Sequence, residues 1–455
     1  MKVELNDMTM IMQFESKEEE RFIKSFITFK DESAAFGRGG YDIRRVKNVC
    51  MGKEITDKKT KESYFVCFAG FCKEILIECK KEGIHVSSFD DRRAHFGFQK
   101  EDHDYASYFD PKFKYTLHQQ RALESMVNTN TGICKLPTSA GKSSIMTAFC
   151  RMSKLPTLIL NDRSTLVMQL YESCRSAGLN AGYNTGKGYK DGDIVVSTIQ
   201  SVKKIPDFTK FKCLIIDEVH IASSKSFQEF LKTVSFPLKY GFSASPSNGK
   251  LYDFAKIRQF FGSIIIDVKA DELIENEVMS KPHIHLIEVN CDETVDYPSA
   301  YDIGIVHNER RNRKIIDIAN NYDGGVAILV SHLDQGKILE DNIKGAVFIK
   351  GETSLDERIK IIKDFEKNKI RVLIGSNILN QGISINNIRH LIMASGGKAQ
   401  TQTVQKIGRA LRLTPEKKDA DFFDFIDSGN RFLIKHSKQR ITLYKKEGFE
   451  IEDIQ

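Results

Sequence analysis

Apolar runs alternate with amphipathic helical segments along most of this 455-residue chain. Between residues 111 and 280 the runs are typical of buried parallel strands, and they cover 132–135, 157–160, 193–196, 213–216 and 239–242. Six similar runs follow at 284–289, 325–330, 346–349, 371–374, 391–394 and 422–426. This alternation predicts two consecutive α/β domains, each with a parallel sheet whose functional residues lie at the carboxyl ends of the strands.

The residues before the first run have a different pattern. They predict a small α+β domain with helices over 18–29 and 71–82 and strands over 64–68 and 84–86. A turn-rich stretch predicts a basic hairpin that carries Arg44, Arg45, Lys47, Lys53, Lys58, Lys59 and Lys61. Such a hairpin is suited to phosphate binding, although charged hairpin tips are equally typical of a solvated surface. The predicted domains are therefore 1–110, 111–280 and 281–455.

The end of the chain predicts a basic amphipathic helix over 432–448. Its docking side chains are predicted to be Phe432, Leu433, Ile441 and Leu443. Its cations follow one another without an intervening acid, and they are Arg431, Lys435, Lys438, Arg440, Lys445 and Lys446. Two interpretations stay open for this basic face, namely nucleic-acid binding and plain solvation.

Composition narrows the class of protein. Apolar residues make up 41% of the chain, which is enough for ordinary cores, and a net charge of +7 favours no particular partner. No run approaches the ~20 apolar residues that a membrane span needs, and the first residues lack the layout of a signal peptide. Nine cysteines without a Cys-x-x-Cys pair predict a reduced, cytoplasmic protein without structural zinc.

The stretch 134–143 has the strand–loop–helix context of a phosphate-binding loop. Small residues allow backbone N–H groups and a helix N-terminus to surround phosphate oxygens. Lys142 is predicted to neutralise the β- and γ-phosphates of ATP, and Ser143 to ligate Mg²⁺. The general pattern asks for glycine where Leu136 stands. The predicted nucleotide-binding residues are Pro137, Thr138, Ser139, Ala140, Gly141, Lys142 and Ser143.

Two adjacent carboxylates follow the apolar run 213–216. Asp217 is predicted to hold Mg²⁺, and Glu218 to orient and deprotonate the attacking water, which are the two tasks that nucleotide hydrolysis requires. His220 belongs to the same short segment and is placed with them in the predicted catalytic set. Phosphate loop and carboxylate pair lie in one predicted sheet, and together they indicate an ATPase.

Asp-Glu-Val-His at 217–220 resembles the DExH box of superfamily 2 helicases, and further motifs of that superfamily follow in order. The resemblance implies that Gln120, with Gln119 as the alternative, reads adenine. It also implies nucleic-acid contacts from Thr198 and Gln200 in the Thr-x-Gln segment, and from Arg163 in motif Ia. In that motif Asp162 and Arg163 replace the usual Pro-Thr. The stretch 243–246, Ser-Ala-Ser-Pro, resembles the motif that couples ATP state to strand movement.

The second predicted sheet carries the remaining motifs of the family. Ser331 and His332 resemble motif IV. The stretch 376–385 resembles motif V, with Ser384 in place of a frequent Asp, and its implied site residues are Asn377, Gln381 and Gly382. The block 405–412 matches Gln-x-x-Gly-Arg-x-x-Arg of motif VI, with Gln405, Arg409 and Arg412. Two arginines three residues apart share one helix face, and they are suited to stabilising transition-state charge from across a cleft.

The phosphate loop, motif V and motif VI together resemble those of the phage UvsW-type helicases. This resemblance implies two tandem RecA-like parallel-sheet domains behind a small α+β N-terminal accessory domain, with ATP and Mg²⁺ as cofactors. It implies 3′-to-5′ translocation, branch migration of four-way junctions, fork regression, and unwinding of D-loops or R-loops in recombination, replication and repair. A monomer acting on branched and duplex DNA, with a single strand in the motor cleft and recombination proteins as partners, is expected.

Three alternatives stay open. The core motifs do not distinguish DNA from RNA, so an RNA helicase is one of them. The second is the motor part of a restriction or nuclease complex, although no nuclease constellation is evident in the sequence. The third is a nucleic-acid-binding protein with a vestigial motor.

Overall fold

A computed structural model describes residues 1–37, 40–41, 43–111, 115–137, 139–247, 250–375, 387–397, 419–446 and 449–452. Its contacts divide the chain into two compact units. The first unit comprises Met1–Leu136 with Gly141–Asp267, and the second comprises Pro137–Ala140 with Val268–Gln455.

The first unit begins with a five-stranded sheet. Its strands, in spatial order, are Gly52–Thr56, Ser63–Phe68, Thr9–Gln13, Lys2–Leu5 and Ser88–Asp91. All neighbours are antiparallel except the last pair. Two smaller ladders pair Thr28–Asp31 with Lys47–Cys50 and Phe36–Gly37 with Gly40–Tyr41. Helices Lys17–Phe26 and Cys72–Lys81 bury Ile23, Cys72, Ile75 and Cys79 in the core of this part.

Three sequence predictions for this region need adjustment. The first helix ends at Phe26 rather than near residue 29, because Thr28–Asp31 pairs as a strand. The predicted strand 84–86 is absent, since the N–H of Ile84 bonds the carbonyl of Cys79 at 2.8 Å and still caps the preceding helix. The ladder begins only at Ser88. The basic hairpin forms only in part. Gly52–Thr56 pairs with Ser63–Phe68 and exposes Lys58, Lys59 and Lys61 at the tip, whereas Arg44 and Arg45 lie in the short turn Ile43–Arg45 and Lys47 begins the strand that pairs with Thr28–Asp31.

The N-terminal sheet packs directly on helix Leu251–Phe261 of the same unit. Phe68 and Phe260 have ring centroids 4.4 Å apart, and Glu74 forms an ion pair with Arg258. A Cβ atom at Gly70 would lie 2.1 Å from the carbonyl oxygen of Arg258, so this close approach requires glycine. Hydrophobic burial and a partly buried ion pair therefore join the N-terminal residues to the sheet that follows.

That sheet has eight strands. Their spatial order is Gly188–Lys190, Ala181–Thr185, Ile194–Thr198, Thr157–Asn161, Cys213–Asp217, Leu238–Ser243, Thr131–Lys135 and Ile264–Asp267. Every neighbouring pair is parallel except the first. Its helices are Leu117–Val127, Lys142–Ser153, Ser164–Ser176, Lys225–Thr233 and Leu251–Phe261. Short 3₁₀ turns span Ile199–Lys204 and Val219–Ser223.

The second unit is built on a seven-stranded sheet whose neighbours are all parallel. Its spatial order is Ala346–Ile349, Val372–Gly375, Gly325–Leu329, Ile388–Ile392, Asp419–Ser428, Lys281–Asn290 and Ile451–Glu452. The helices are Ala270–Glu275, Tyr297–Tyr301, Glu309–Asn321, Leu333–Asn342, Leu355–Glu366 and Arg431–Lys446. All eleven runs predicted as strands in the two sheets overlap strands, although the run 391–394 does so at only two residues because its strand is Ile388–Ile392. This confirms the α/β class with two largely parallel sheets.

The C-terminal helix uses its faces differently from the prediction. Leu433 docks as expected, but Phe432, Ile441 and Leu443 are only half-buried, and Tyr444 is the large buried ring. Arg440, which the sequence placed with the basic surface, is 1% exposed. It donates to Asp424 at 2.8 Å and to the carbonyl oxygens of Gly397 and Phe425. Because its guanidinium is used inside the unit, Arg440 is a structural residue, and its assignment to the basic surface was wrong.

Other features bear on what the chain can bind. Eight cysteines are buried thiols, and Cys50 is exposed. Within the described ranges, no cluster of three or more His, Cys, Asp or Glu side chains has the arrangement of a metal site. No helix in the described part of the chain has the length and apolar character required to cross a membrane.

Candidate nucleotide site

The carboxyl ends of the parallel strands bring the predicted motifs of the first unit to one edge of the sheet. Lys135, Asn161, Thr198, Asp217 and Ser243 each end a strand there. Register pairs Asn161 with Thr198 and Lys135 with Ser243. Segments that are far apart in sequence therefore begin their loops next to one another.

The phosphate-binding loop leaves the sheet at Leu136, whose N–H bonds the carbonyl of Ser243 at 3.1 Å. It re-enters the unit at Gly141, which has a left-handed backbone (φ +76°) and immediately precedes helix Lys142–Ser153. A Cβ atom there would lie 2.5 Å from Nε2 of Gln119. Pro137, Ser139 and Ala140 group with the second unit, and Thr138 lies outside the described residues. Both backbone conformation and space thus require glycine at the end of the loop.

Lys142 points its ammonium group toward the carboxylates. Its side chain is 9% exposed, and Nζ lies 3.6 Å from Oε1 of Glu218. Among the described residues, this buried Nζ has no hydrogen-bond partner. A buried ammonium group with unused donors is costly unless an anion completes its shell, so Lys142 fits a phosphate group. Ser143 follows it in the first turn of the helix and is exposed.

The two carboxylates differ in their surroundings. Asp217 accepts from Nδ2 of Asn161 at 2.9 Å and from the N–H of Glu218 at 3.1 Å. Burial, reinforced by the neighbouring charge of Glu218, raises the pKa of Asp217, while Lys142 opposes the shift. Glu218 has a left-handed backbone (φ +58°), which is uncommon for a residue with a side chain and is often found at functional sites.

His220 and Ser243 complete a polar network around Glu218. Nδ1 of His220 lies 3.3 Å from Oε2 of Glu218 and 3.3 Å from Oγ of Ser243. The Ser243 hydroxyl lies 3.4 Å from the same carboxylate oxygen, and it accepts from the N–H of Ser245 at 3.1 Å. The segment 243–246 is therefore connected to the carboxylate that faces Lys142.

The two glutamines of helix Leu117–Val127 have different surroundings. Gln119 is buried, accepts from the N–H of Thr116 and lies against Gly141 at the end of the loop. Gln120 bonds the Tyr115 hydroxyl and Glu124 instead. The structure thus brings Gln119, the alternative of the sequence prediction, next to the nucleotide-binding loop. The side chain of Gln120 instead contacts residues of its own helix and of the segment just before it.

The residues predicted to contact nucleic acid are only partly brought together. Thr198 is buried at the edge of the first sheet, and Gln200 and Arg163 are exposed beside it. Ser331 and His332 follow strand Gly325–Leu329 of the second unit and are exposed, with the His332 ring 5.2 Å from that of Tyr301. The remaining predicted residues lie outside the described part of the chain, and they are Asn377, Gln381, Gly382, Gln405, Arg409 and Arg412.

Asn161 belongs to this edge and was not among the predicted site residues, and Ser243 was predicted only as part of the motif 243–246. Each is a polar residue that ends an apolar strand, and that position is the signal by which sequence could have found them. The described residues fit ATP with Mg²⁺. The helix N-terminus after Gly141 and the buried Lys142 suit phosphates, and Ser143 and Asp217 supply the oxygen ligands that Mg²⁺ prefers.

Comparisons with known proteins agree with this arrangement. Residues 112–248 match the family described as the res subunit of type III restriction enzymes, and residues 300–414 match the helicase conserved C-terminal domain. The ATP-dependent DNA helicase uvsW of Enterobacteria phage T4 is 27% identical over 382 residues, which cover 72% of this chain and 74% of that protein. A probable helicase of Escherichia phage T5 is 28% identical over 355 residues, which cover 75% and 77%.

One solved structure supports the fold independently of close sequence similarity. A fragment of a putative HsdR subunit of a type I restriction enzyme from Vibrio vulnificus YJ016 has a TM-score of 0.59 at 16% identity. The match covers 89% of this chain and 78% of that chain. At this identity the likeness shows the fold alone, which is the RecA-like arrangement of parallel-sheet domains.

Proposed function

Because this chain is a superfamily 2 helicase of the UvsW type and therefore an ATP-dependent helicase, we propose that it is a DNA translocase that remodels branched DNA. The proposed reactions are branch migration of four-way junctions, fork regression and unwinding of D-loops or R-loops, with 3′-to-5′ movement. The observation that carries the proposal is the partly buried Lys142–Glu218–His220–Ser243 network, together with a phage relative that is named as an ATP-dependent DNA helicase.

Each residue of the network has a defined task in ATP hydrolysis. When bound, Mg²⁺ would neutralise part of the phosphate charge. Lys142 and the helix N-terminus would hold the phosphates, Ser143 and Asp217 would hold the ion, and Gln119 is assigned a role at the end of the loop, where it lies against Gly141. Glu218 orients the attacking water and accepts its proton, while His220 and Ser243 hold the carboxylate in position.

Charge stabilisation in the transition state is assigned to Arg409 and Arg412, with Gln405 and Gly382 completing the site. This part of the proposal rests on the resemblance of 405–412 to motif VI. An arginine delivered from the other domain makes hydrolysis depend on domain closure. Closure and opening then advance one domain along the strand relative to the other.

The nucleic-acid side uses polar groups that suit the sugar–phosphate backbone. Thr198, Gln200 and Arg163 supply them in the first unit, Ser331 and His332 in the second, and Asn377 and Gln381 are added from the motif V resemblance. Since phosphate contacts carry little sequence information, we expect low sequence specificity and a steep dependence on salt.

Duplex arms are assigned to the two basic surfaces outside the motor. The hairpin tip presents Lys58, Lys59 and Lys61, all exposed. The C-terminal helix presents exposed Arg431, Lys435, Lys438 and Lys445 after Arg440 is removed from the set. Cations spaced along one face are suited to the charge of a DNA duplex.

The polymer that stimulates ATP hydrolysis tests the choice of substrate. We expect the hydrolysis rate to rise with a four-way DNA junction and with single-stranded DNA, and Lys142→Ala to remain near the background rate with either. Stimulation by RNA alone would refute the DNA assignment and favour the RNA helicase. Equal, near-zero rates for Lys142→Ala and the unchanged protein would favour a vestigial motor.

A further inference from the structure

Asn161 lies between the nucleotide side and the nucleic-acid side of the first parallel sheet. The strand that it ends is flanked by the strands that end at Thr198 and Asp217. Asn161 is the register partner of Thr198. The three side chains therefore start from neighbouring positions along one sheet edge.

Both ends of the Asn161 amide are used. Its Nδ2 donates to Oδ2 of Asp217 at 2.9 Å, and its Oδ1 accepts from the backbone N–H of Arg163 at 3.1 Å. The residue is 1% exposed, so water does not compete for either bond. Because one partner can only accept and the other can only donate, the orientation of the amide is fixed.

We propose that Asn161 is a positioning residue that transmits the position of the backbone at 162–164 to the carboxylate of Asp217. A nucleic-acid strand that contacts Arg163 would then shift Asp217, the carboxylate assigned to Mg²⁺, and the rate of ATP hydrolysis would depend on whether that strand is bound. The inference rests on the proposed function, because it takes the 162–164 segment as a nucleic-acid contact.

An asparagine is suited to this position for reasons that other residues do not share. Leucine has a similar volume but neither donates nor accepts. Aspartate retains the acceptor for Arg163 but places a second negative charge beside Asp217. A planar amide supplies one donor and one acceptor from a single rigid group, and a buried carboxylate needs such a donor.

Two variants separate the halves of this link, and a third is the control. Asn161→Leu removes both hydrogen bonds, while Asn161→Asp keeps the acceptor for Arg163, removes the donor to Asp217 and adds a negative charge beside it. The control is Asn180→Leu, an exposed asparagine whose Nδ2 also donates to a carboxylate, that of Asp193 at 3.0 Å, near the opposite ends of the strands. Folding of each variant is checked by thermal unfolding before the comparison.

Three quantities are measured on the full chain: ADP affinity with Mg²⁺ and with EDTA, affinity for single-stranded DNA, and stimulation of hydrolysis by that DNA. For Asn161→Leu we expect two quantities to fall by about 10- to 100-fold, the range for losing a hydrogen bond to a charged group. They are the ratio of ADP affinity in Mg²⁺ to that in EDTA, and the factor by which single-stranded DNA raises the hydrolysis rate. ADP affinity in EDTA should stay as in Asn180→Leu. In Asn161→Asp, single-stranded DNA should no longer stimulate ATP hydrolysis, while the affinity for that DNA should be unchanged.

The outcomes are distinct. If Asn161→Leu matches Asn180→Leu in Mg²⁺-dependent ADP affinity and in stimulation, the inference is overturned. If Mg²⁺-dependent ADP affinity falls but stimulation and strand affinity do not, Asn161 positions Asp217 without transmitting strand contact, which also refutes the link. If no DNA stimulates the unchanged protein, the proposed function fails, and ADP affinity still decides whether Asn161 positions Asp217.

Discussion

Replacing Arg440 by methionine should destabilise the second unit strongly. The change removes a guanidinium that is 1% exposed and leaves Asp424 with the hydroxyl of Tyr444 at 2.7 Å as a remaining side-chain donor. It also removes bonds to the carbonyl oxygens of Gly397 and Phe425, at 2.9 and 2.8 Å. Breaking a buried ion pair from one side costs about 3–5 kcal/mol. Against a domain stability of about 5–15 kcal/mol, this is a large fraction.

Amide hydrogen exchange of strand Asp419–Ser428 measures the effect, because that strand carries Asp424 and lies inside the seven-stranded sheet. We expect the opening free energy to drop by about 3–5 kcal/mol in Arg440→Met. Lys438→Met is the control, since it deletes an exposed cation from the same helix and should change stability by less than about 0.5 kcal/mol.

A second comparison distinguishes an uncompensated charge from lost packing. Adding Asp424→Leu to Arg440→Met removes the orphaned carboxylate, so the double variant should recover part of the lost stability. The contrary result is that Arg440→Met is as stable as Lys438→Met, while its DNA affinity is weaker and depends less on salt concentration than that of the unchanged protein. Arg440 would then belong to the DNA-binding surface, and the assignment to the interior would be refuted.

Two further predictions follow from the described contacts. Gly141→Ala should weaken ATP binding, because alanine is strained at φ +76° by about 1–2 kcal/mol and its Cβ would meet Gln119. Adding Gln119→Ala should recover part of the affinity, measured by titration with a fluorescent nucleotide. If no affinity is recovered, backbone strain alone causes the loss. The second prediction concerns pH. A hydrogen bond to Asp421 at 2.8 Å raises the pKa of His285. Burial alone would raise the pKa of Asp421, but hydrogen bonds from His285 and His390 hold that pKa well below its usual range. The histidine contribution is full below its ordinary pKa and is lost as pH rises through the raised value, and the aspartate contribution is lost on acidification, so the cluster should stabilise most between about pH 4 and 6.5. Thermal unfolding across pH should show this dependence flattened in Asp421→Asn; an unchanged profile would contradict it.

Much of the fold could be predicted because buried parallel strands have an almost continuous apolar pattern. Strand Cys213–Asp217 is four apolar residues followed by a carboxylate, and such a run has few alternatives. By contrast, the hairpin of Ala181–Thr185 and Gly188–Lys190 contains polar and small residues, and its strand character comes from pairing with a neighbour. Strands whose stability is supplied by tertiary pairing leave a weak local signal.

The candidate site was predictable to the extent that its chemistry is local in sequence. Lys142, Asp217 and Glu218 come from short patterns, and the sheet brings them to one edge. Asn161 was missed because its role depends on the strand order, which sets Asp217 beside it. The preference for Gln120 over Gln119 depended on a helix rotation that the sequence does not specify. Arg440 has the charge of a surface residue, and only its buried partner Asp424, on strand Asp419–Ser428, shows that it belongs inside the unit.

The central claim is tested most directly by strand-product formation from a synthetic four-way DNA junction with ATP. The unchanged protein should convert the junction into its branch-migrated duplex products, and Glu218→Gln should bind the same junction without converting it, since the carboxylate that activates water is lost. A junction that stays intact with active, nucleic-acid-stimulated enzyme would contradict the claim and leave only an ATP-dependent helicase.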